Sequence, residues 1–271
     1  MLSTGALRAH LLAARLAGPV ATSREESLRS YRLFEARDPR VLLGLDPEWA
    51  WGQRDLLALM ADRCGVSPDP GHTSGCDIID PERTLAALDA FGDRLGRAAD
   101  TRTPVLIGTG HPHRLLGFYA SLASALSAAG CPVLTPAQGL RVDITTRFGL
   151  RTYNLDYARG VALVREPDAR PPGSETGAHT HSPLPVRTAL TALADAGEPL
   201  PGLVVGDHGW VCGAGQLGFD AIGLADTDDP ALFVGEAEGQ VSVVVPLDDA
   251  VRSDYYRPLT RYVLNRACLS Q

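Results

Sequence analysis

The sequence predicts an α/β fold, with a mostly parallel, Rossmann-like sheet, helices on both faces and a mainly helical N-terminal region. Two observations predict it. From residue 101 onward, short apolar runs alternate with segments whose apolar residues repeat at helical spacing. Within this part, the apolar run 105–107 enters the turn Gly108-Thr109-Gly110 and then a long apolar helix. A β-α-β unit of this kind is parallel and right-handed in nearly all proteins.

Residues 1–100 are predicted to be a mainly helical region packed on the core. Helical spacing covers residues 5–17, and Ser23 with Glu26 forms a capping box that begins a second helix ending near Arg37. Further helices are expected over 55–64 and from Asp80 to about residue 99, and a short strand over 41–45. The loop 65–75 is rich in proline and glycine, which favours a surface excursion over a mobile lid.

Residues 101–271 are predicted to be the α/β core that carries the functional site. Gly130 ends the first helix of this part, and Ser182-Pro183 begins a later helix. The expected strands are 105–107, 132–135, 141–145, 160–164, 203–205 and 241–245, and the expected helices are 114–129, 182–197 and 255–268, with 213–225 helical in part.

The composition excludes several functional classes. The net charge of −7 and the lack of a long apolar run argue against nucleic-acid or membrane partners and favour a small-molecule substrate. All 25 of the Lys and Arg residues are arginine, which excludes Schiff-base chemistry and a P-loop lysine. The five cysteines are scattered and form no CxxC pair, as expected of reduced thiols in the cytoplasm. Arg8, His10 and Arg15 interrupt the first apolar run, so it is interpreted as an amphipathic helix and not a targeting signal.

Histidines provide the main chemical signal. Two His-x-His pairs occur, and in an extended segment such a pair can direct both imidazoles to one metal ion. The alternative is that these histidines cap helices and line loops. We expect convergence on one crevice above the sheet, because two of the three motifs follow predicted strands, where a parallel sheet collects its ligand-binding residues. The three motifs are His111 with His113, His179 with His181, and His208 beside Asp207.

The glycine turn after the first core strand provides a second signal. It is not a dinucleotide fingerprint, since His113 stands where the third glycine would be. It is not a Walker A motif either, because the Gly-Lys-Ser/Thr of that motif is absent. Free amides at the following helix start, together with Arg114, would form an anion cradle, and phosphate is the commonest anion bound in this way. The alternative is a tight turn that binds no ligand.

Three further features of the sequence bear on the predicted site. The glycines from Gly206 to Gly218 indicate a backbone that lies against a ligand or another segment. Asp226-Thr227-Asp228 is interpreted as a solvated turn. Arg257 and Arg261 either face an anion or, as surface arginines usually do, point into solvent.

Two short stretches resemble the HTHS and TDHG motifs of PHP-type phosphoesterases. These are His179-Thr180-His181-Ser182 and, after a predicted helix, Gly206-Asp207-His208-Gly209. The resemblance implies that the matching histidines bind metal ions that activate water against a phosphate ester. That family places its HxH on its first strand near the N-terminus, whereas here the pair follows a loop deep in the chain.

The order of features is similar to that of the D-glutamate cyclase-like family. It comprises the strand with Thr-Gly at 105–110, a helix, a strand, Val164-Arg165-Glu166, and the glycine-rich 205–209 stretch. Trp210 and Val211 replace that family's Asn-Glu, so its catalytic acid has no counterpart here. The resemblance implies a Rossmann-like fold more than an activity.

These observations lead to one main functional expectation, a phosphatase of a small phosphate monoester that uses a divalent metal ion. The alternatives are a metal-assisted lyase or cyclase of a small carboxylate, and a non-enzymatic protein that binds a phosphorylated metabolite. The expected catalytic residues are His111, His113, Asp207 and His208, the phosphate-binding residues Gly108, Thr109, Gly110 and Arg114, and the metal ligands His179, His181, Asp207 and His208.

Overall fold

A computed structural model describes residues 3–146, 148–167 and 175–269. Within these ranges the chain forms ten α-helices, one 3₁₀-helix and nine strands, which confirms the α/β class. In chain order the elements are α1 (Thr4–Ala13), β1 (Gly18–Ser23), α2 (Arg24–Glu35), α3 (Pro39–Leu42), α4 (Gln53–Cys64), β2 (Cys76–Ile79), α5 (Pro81–Asp100), β3 (Val105–Ile107), α6 (Pro112–Ala128), β4 (Arg141–Thr146), β5 (Gly149–Ala158), β6 (Val161–Arg165), α7 (Leu184–Ala196), β7 (Leu203–Asp207), α8 (His208–Gly215), β8 (Ala221–Ala225), α9 (Pro230–Ala237), β9 (Val243–Pro246), the 3₁₀-helix (Ser253–Tyr256) and α10 (Arg257–Arg266).

The central sheet has four parallel strands in the order β3-β7-β8-β9. Alternate residues along each strand join different apolar clusters. Leu106 and Val204 belong to the cluster that includes residues of α4, α7, α8 and α9, whereas Val105 and Val205 belong to the one that includes residues of α1, α5, α6 and α10. Helices therefore cover both faces of the sheet. None of the helices in the described ranges is long and apolar enough to cross a membrane.

A second, antiparallel sheet makes the fold more mixed than a Rossmann fold. Strands β4, β5 and β6 form a meander, and the end of β3 contacts β6 through a parallel bridge between Gly108 and Ala162. The sequence predicted β4 and β6 but not their antiparallel pairing or β5. The strand expected over 132–135 is reduced to one bridge, between Val133 and Val105.

The N-terminal hundred residues form a mixed region of five helices and the antiparallel pair β1–β2. The Ser23–Glu26 capping box is present at the start of α2, as predicted. The strand expected over 41–45 is wrong. Asp38 accepts a hydrogen bond from the amide of Arg40 and begins the short helix α3 in its place.

Glycines let α8 lie directly on the central sheet. A Cβ atom at Gly108 would come within 2.2 Å of the Trp210 ring, and one at Gly223 within 2.5 Å of both the Gly206 carbonyl oxygen and a methyl of Val211. All eight residues of α8 are buried. Within the glycine run itself, a Cβ atom at Gly213 would lie 2.8 Å from Pro183, and one at Gly215 would lie 2.5 Å from the Gln240 carbonyl oxygen. The run thus accommodates other segments of the same chain, which is one of the two alternatives that the sequence left open.

The loop 65–75 is held by one buried arginine. The side chain of Arg24 donates hydrogen bonds to the carbonyl oxygens of His72 and Ser67, at 3.0 and 2.7 Å. Its Nη1 lies 3.5 Å from the Asp77 carboxylate, and both side chains are buried. These contacts favour a fixed loop over a mobile lid.

Neutralising Asp77 tests this anchor. Asp77→Asn leaves the buried guanidinium without its counter-charge, and we expect the free energy of unfolding to fall by about 2 kcal/mol, as for other buried polar groups that lose a partner. Urea denaturation measures the change. Asp62→Asn is the matched control, because that carboxylate is 67% exposed and should alter stability little. Equal stability of the two variants would contradict the assigned role of Arg24.

Candidate active site

Four loops at the carboxyl edge of the central sheet bring the functional side chains together. The strands are parallel, so the segments that follow them emerge at the same edge, where open α/β sheets bind their ligands. A fifth segment, formed by the described residues 175–183 before α7, contacts this edge, since the Thr180 amide donates to the Gly110 carbonyl oxygen. The loops contribute His111 after β3, Asp207 and His208 at the end of β7, Asp226–Asp229 after β8, Asp248 and Asp249 after β9, and His179 and His181 before α7.

Two glycines allow the loops to approach one another. A Cβ atom at Gly110 would lie 2.3 Å from the Thr180 carbonyl oxygen, and one at Gly209 would lie 2.5 Å from the Ser182 carbonyl oxygen. The amide of Thr180 donates to the carbonyl oxygen of Gly110 at 3.0 Å, which fixes the 179–181 loop against the turn after β3. Gly110 and Gly209, which belong to two separate motifs, both leave the space that the 180–182 backbone occupies.

His208 lies at the centre of the cluster. Its ring is buried, its Nδ1 is 2.9 Å from Asp207 Oδ2, and its Nε2 is 3.1 Å from Asp229 Oδ2 and 3.5 Å from Asp249 Oδ2. The backbone of His208 has a φ of +47°, the left-handed region that residues other than glycine seldom adopt. Such strain persists only where the surroundings fix it, and it is common at functional sites.

The other three imidazoles surround this ring. His181 stacks on His208 and His111 stacks on His179, each pair with ring centroids 4.1 Å apart. The Nε2 atoms of His179 and His181 are 3.0 Å apart. Four of the five histidines expected to converge therefore do so.

The carboxylates and imidazoles shift one another's pKa values. Burial alone would lower the pKa of His208, but the carboxylates of Asp229 and Asp207 raise it well above its ordinary value. Despite the opposing effect of burial, His208 lowers the pKa of Asp229 to about 2. Burial, followed by the charges of Asp229 and Asp249, raises the pKa of Asp228 to about 8.

The outer histidines are held in the neutral form that binds metals. Burial, followed by the charges of His111 and His208, lowers the pKa of His179 to about 4. Burial and the charge of His208 likewise lower the pKa of His181 to about 3. A neutral imidazole has a lone pair available for a metal ion at neutral pH.

The donor set fits a divalent metal ion. Two groups of side chains each offer ligand atoms that all lie within 4.8 Å of one another. Buried atoms of the site, Asp207 Oδ1, Asp249 Oδ2 and His111 Nδ1, have no hydrogen-bond partner in the described part of the chain. Imidazole nitrogens with carboxylate oxygens are typical ligands of catalytic zinc and similar ions. The two groups are His111, His179 and His208, and His181, His208 and Asp229.

The structure separates some of the predicted site residues from this cluster. His113 and Arg114 are exposed on the first turn of α6 and line a neighbouring groove. The amides of the predicted anion cradle are already engaged. Gly108 donates to Val205, Thr109 to the carbonyl oxygen of Ala162, and Gly110 to Asp207 Oδ2 at 3.0 Å. The amides of residues 108–110 are therefore not free donors in this structure, and the phosphate-binding role of these residues stays a prediction.

Apart from Asp207, the aspartates of this site were not expected from the sequence. Asp226 and Thr227 are buried, so their interpretation as a solvated turn is wrong. Thr22 hydrogen-bonds the Asp226 carboxylate, and Ser27 hydrogen-bonds the Thr227 hydroxyl, so the N-terminal region fixes this loop. A signal was present for Asp249, which follows a clearly apolar strand at the edge where ligand-binding residues collect.

Comparisons with known proteins agree over nearly the full chain. A family model described as Phosphatase matches residues 2–271, a span that includes all five loops of the site. Phosphatase SCO2771 of Streptomyces coelicolor (strain ATCC BAA-471 / A3(2) / M145) is 44% identical over 272 residues. That alignment covers 98% of this chain and 97% of the relative. The chain therefore belongs to the Phosphatase family.

Proposed function

We propose that this protein is a metal-dependent phosphatase that hydrolyses a small phosphate monoester. One observation carries the proposal, the convergence of four imidazoles and several buried carboxylates at the carboxyl edge of the sheet in a member of the Phosphatase family. A cluster of this kind suits hydrolysis because it can hold a cation next to a bound phosphate. The relative named as a phosphatase supports the same reaction class.

The metal would be held by the two groups of side chains that share His208, namely His111 and His179 on one side and His181 and Asp229 on the other. When bound, a divalent ion supplies Lewis-acid stabilisation of phosphoryl oxygens and lowers the pKa of a coordinated water.

The chain's own residues fix the orientation of His208. Asp207 Oδ2 accepts hydrogen bonds from the Gly110 amide and, at 2.9 Å, from His208 Nδ1. A carboxylate can only accept, so this arrangement keeps a proton on Nδ1, while Nε2 faces Asp229 Oδ2 at 3.1 Å. A divalent ion that binds Nε2 would displace any proton held there. A carboxylate that accepts a hydrogen bond from one nitrogen of a ligating imidazole fixes the tautomer of the ring and makes the other nitrogen a stronger metal ligand.

Metal removal tests the proposal directly. We expect the purified protein to contain a divalent ion in stoichiometric amount, and chelation followed by dialysis to abolish hydrolysis of p-nitrophenyl phosphate. Adding back Mn²⁺, Zn²⁺, Co²⁺ or Mg²⁺ should restore turnover with at least one ion. Elemental analysis and release of p-nitrophenol measure both effects.

Two outcomes would contradict the proposal, and they differ in what they overturn. Full activity in a chelated, metal-free protein would exclude the role of the metal while retaining the phosphatase. If no phosphate were released from any of the sugar, nucleotide and amino-alcohol phosphates tested, the phosphatase activity would be excluded. Consumption of a small carboxylate without phosphate release would then favour a lyase or cyclase.

A further inference from the structure

We propose that a groove beside the histidine cluster binds a second anionic group of the substrate. The substrate class would then be small phosphate monoesters that carry another phosphate or a carboxylate. This inference rests on the proposed phosphatase function and adds the substrate class to it. The groove has a volume of about 640 Å³, lies between α6 and the 3₁₀-helix with α10, and has the size of a small-molecule site.

The groove begins next to the histidine cluster. Pro112 lines it and directly follows His111, whose ring belongs to the cluster. Arg114, three residues beyond His111, also lines it, and one turn of helix spans about 5 Å. On the other wall, the hydroxyl of Tyr256 donates to the carbonyl oxygen of Asp248 at 3.0 Å, beside Asp249 of the cluster. Both walls of the groove therefore adjoin neighbours of the cluster, and the proposal requires a substrate that spans the two places.

Positive charge dominates the lining. Arg114, Arg257 and Arg261 are exposed, and none of them forms an ion pair with another residue in the described ranges. The acidic groups of the lining are already paired, Glu175 with Arg159 at 3.5 Å and Asp254 with Arg252 at 3.0 Å. Three arginines without counter-charges thus share one groove, in a chain whose net charge is −7.

The placement of two of these arginines is unfavourable for the helix itself. Arg257 and Arg261 are one turn apart on α10, where like charges destabilise a helix. An anion bound between them and Arg114 would remove this repulsion. The guanidinium group suits the task because its planar fork of donors matches phosphate and carboxylate oxygens.

The distance between the two places limits the substrate. The scissile phosphate would lie at the histidine cluster, and the second anion roughly one to two helical turns away, about 5–11 Å. A sugar that carries a phosphate at each end has its charges at this kind of separation. We therefore choose fructose 1,6-bisphosphate as the probe and fructose 6-phosphate as its counterpart with a single phosphate.

The test compares the two sugar phosphates with the double variant Arg257→Gln/Arg261→Gln. The ratio of kcat/KM for the bisphosphate to that for the monophosphate should fall at least about tenfold relative to the unaltered protein, because only the bisphosphate reaches the groove. KM for the bisphosphate should account for most of the change. The matched control is Arg29→Gln/Arg32→Gln on α2, which removes the same charge from exposed positions outside the groove and should preserve the ratio.

A binding measurement separates failure of this inference from failure of the proposed function. Titration calorimetry with fructose 1,6-bisphosphate on the chelated protein measures affinity without turnover. A Kd at least about tenfold weaker in the Arg257→Gln/Arg261→Gln variant supports the groove even if neither sugar phosphate is hydrolysed, an outcome that would count against the phosphatase alone. Equal Kd values would overturn the proposal that the groove binds an anion. An unchanged kcat/KM ratio in a protein that hydrolyses both compounds would do the same, and neither result would contradict the phosphatase function.

Discussion

Replacing His208 by asparagine is expected to reduce kcat/KM for p-nitrophenyl phosphate at least about a thousandfold, which corresponds to roughly 4 kcal/mol of transition-state stabilisation. The effect is large because His208 belongs to both groups of candidate metal ligands and contacts Asp207, Asp229 and Asp249. No other imidazole of the cluster is shared by the two groups. Loss of this ring would therefore remove a ligand from both groups at once.

Asparagine is the appropriate substitute because of the backbone at this position. The φ of His208 is +47°, and asparagine tolerates the left-handed region better than alanine does. His72→Asn is the matched control, since His72 belongs to neither group of candidate metal ligands and the variant should retain normal activity.

Two measurements accompany the kinetics of His208→Asn. Thermal unfolding shows whether the variant is folded, and elemental analysis shows whether its metal content has fallen along with its activity. A folded variant that keeps its metal and more than about a tenth of the activity would contradict the central role of His208.

Replacing Gly223 by valine is expected to lower the free energy of unfolding by at least about 3 kcal/mol, the upper end of the usual range for overpacking. A Cβ at this position would lie 2.5 Å from the Gly206 carbonyl oxygen and 2.5 Å from a methyl of Val211. The backbone oxygen belongs to the neighbouring strand and cannot move without breaking the β7–β8 pairing. Valine has a high strand propensity, so a decrease in the free energy of unfolding would come from the lack of space for its side chain.

The control for this prediction is another glycine whose surroundings are open. A Cβ at Gly117 would meet no atom within 4 Å, and Gly117→Ala should stabilise α6 by about 0.5–1 kcal/mol because alanine has the higher helix propensity. Urea denaturation monitored by circular dichroism compares both variants with the unaltered protein. If Gly223→Val were as stable as the unaltered protein, the close packing of α8 on the sheet would be wrong.

Much of the core could be predicted from apolar runs and helix signals. The strands 203–205 and 241–245 were found because each is a continuous apolar run, as buried parallel strands usually are. Strand β8 was missed because its sequence, AIGLA, lies within the stretch 213–225 that was expected to be helical in part. The strand expected over 132–135 is apolar, but it forms a single bridge, because pairing depends on long-range contacts that a local pattern does not contain.

The site could be predicted only as far as its histidines and Asp207. The spacing of the pairs and their positions after strands were enough to bring His111, His179, His181 and His208 together. The other aspartates were missed, and recognising Asp229 as a site residue requires knowing that β8 precedes it. His113 was wrongly grouped with the cluster, since the helix that begins at Pro112 turns its side chain towards the neighbouring groove.

The burial of α8 has a further consequence for how this site can fluctuate. The helix begins immediately after β7 and has no face towards water, so separating it from the sheet would expose both the sheet and the helix. We therefore expect local opening of this segment to cost nearly as much free energy as global unfolding, and its amides to be among the slowest to exchange with solvent. His208 therefore belongs to the most persistent part of the molecule. Any motion that admits a substrate must come from the exposed side of the cluster, where His179 lies.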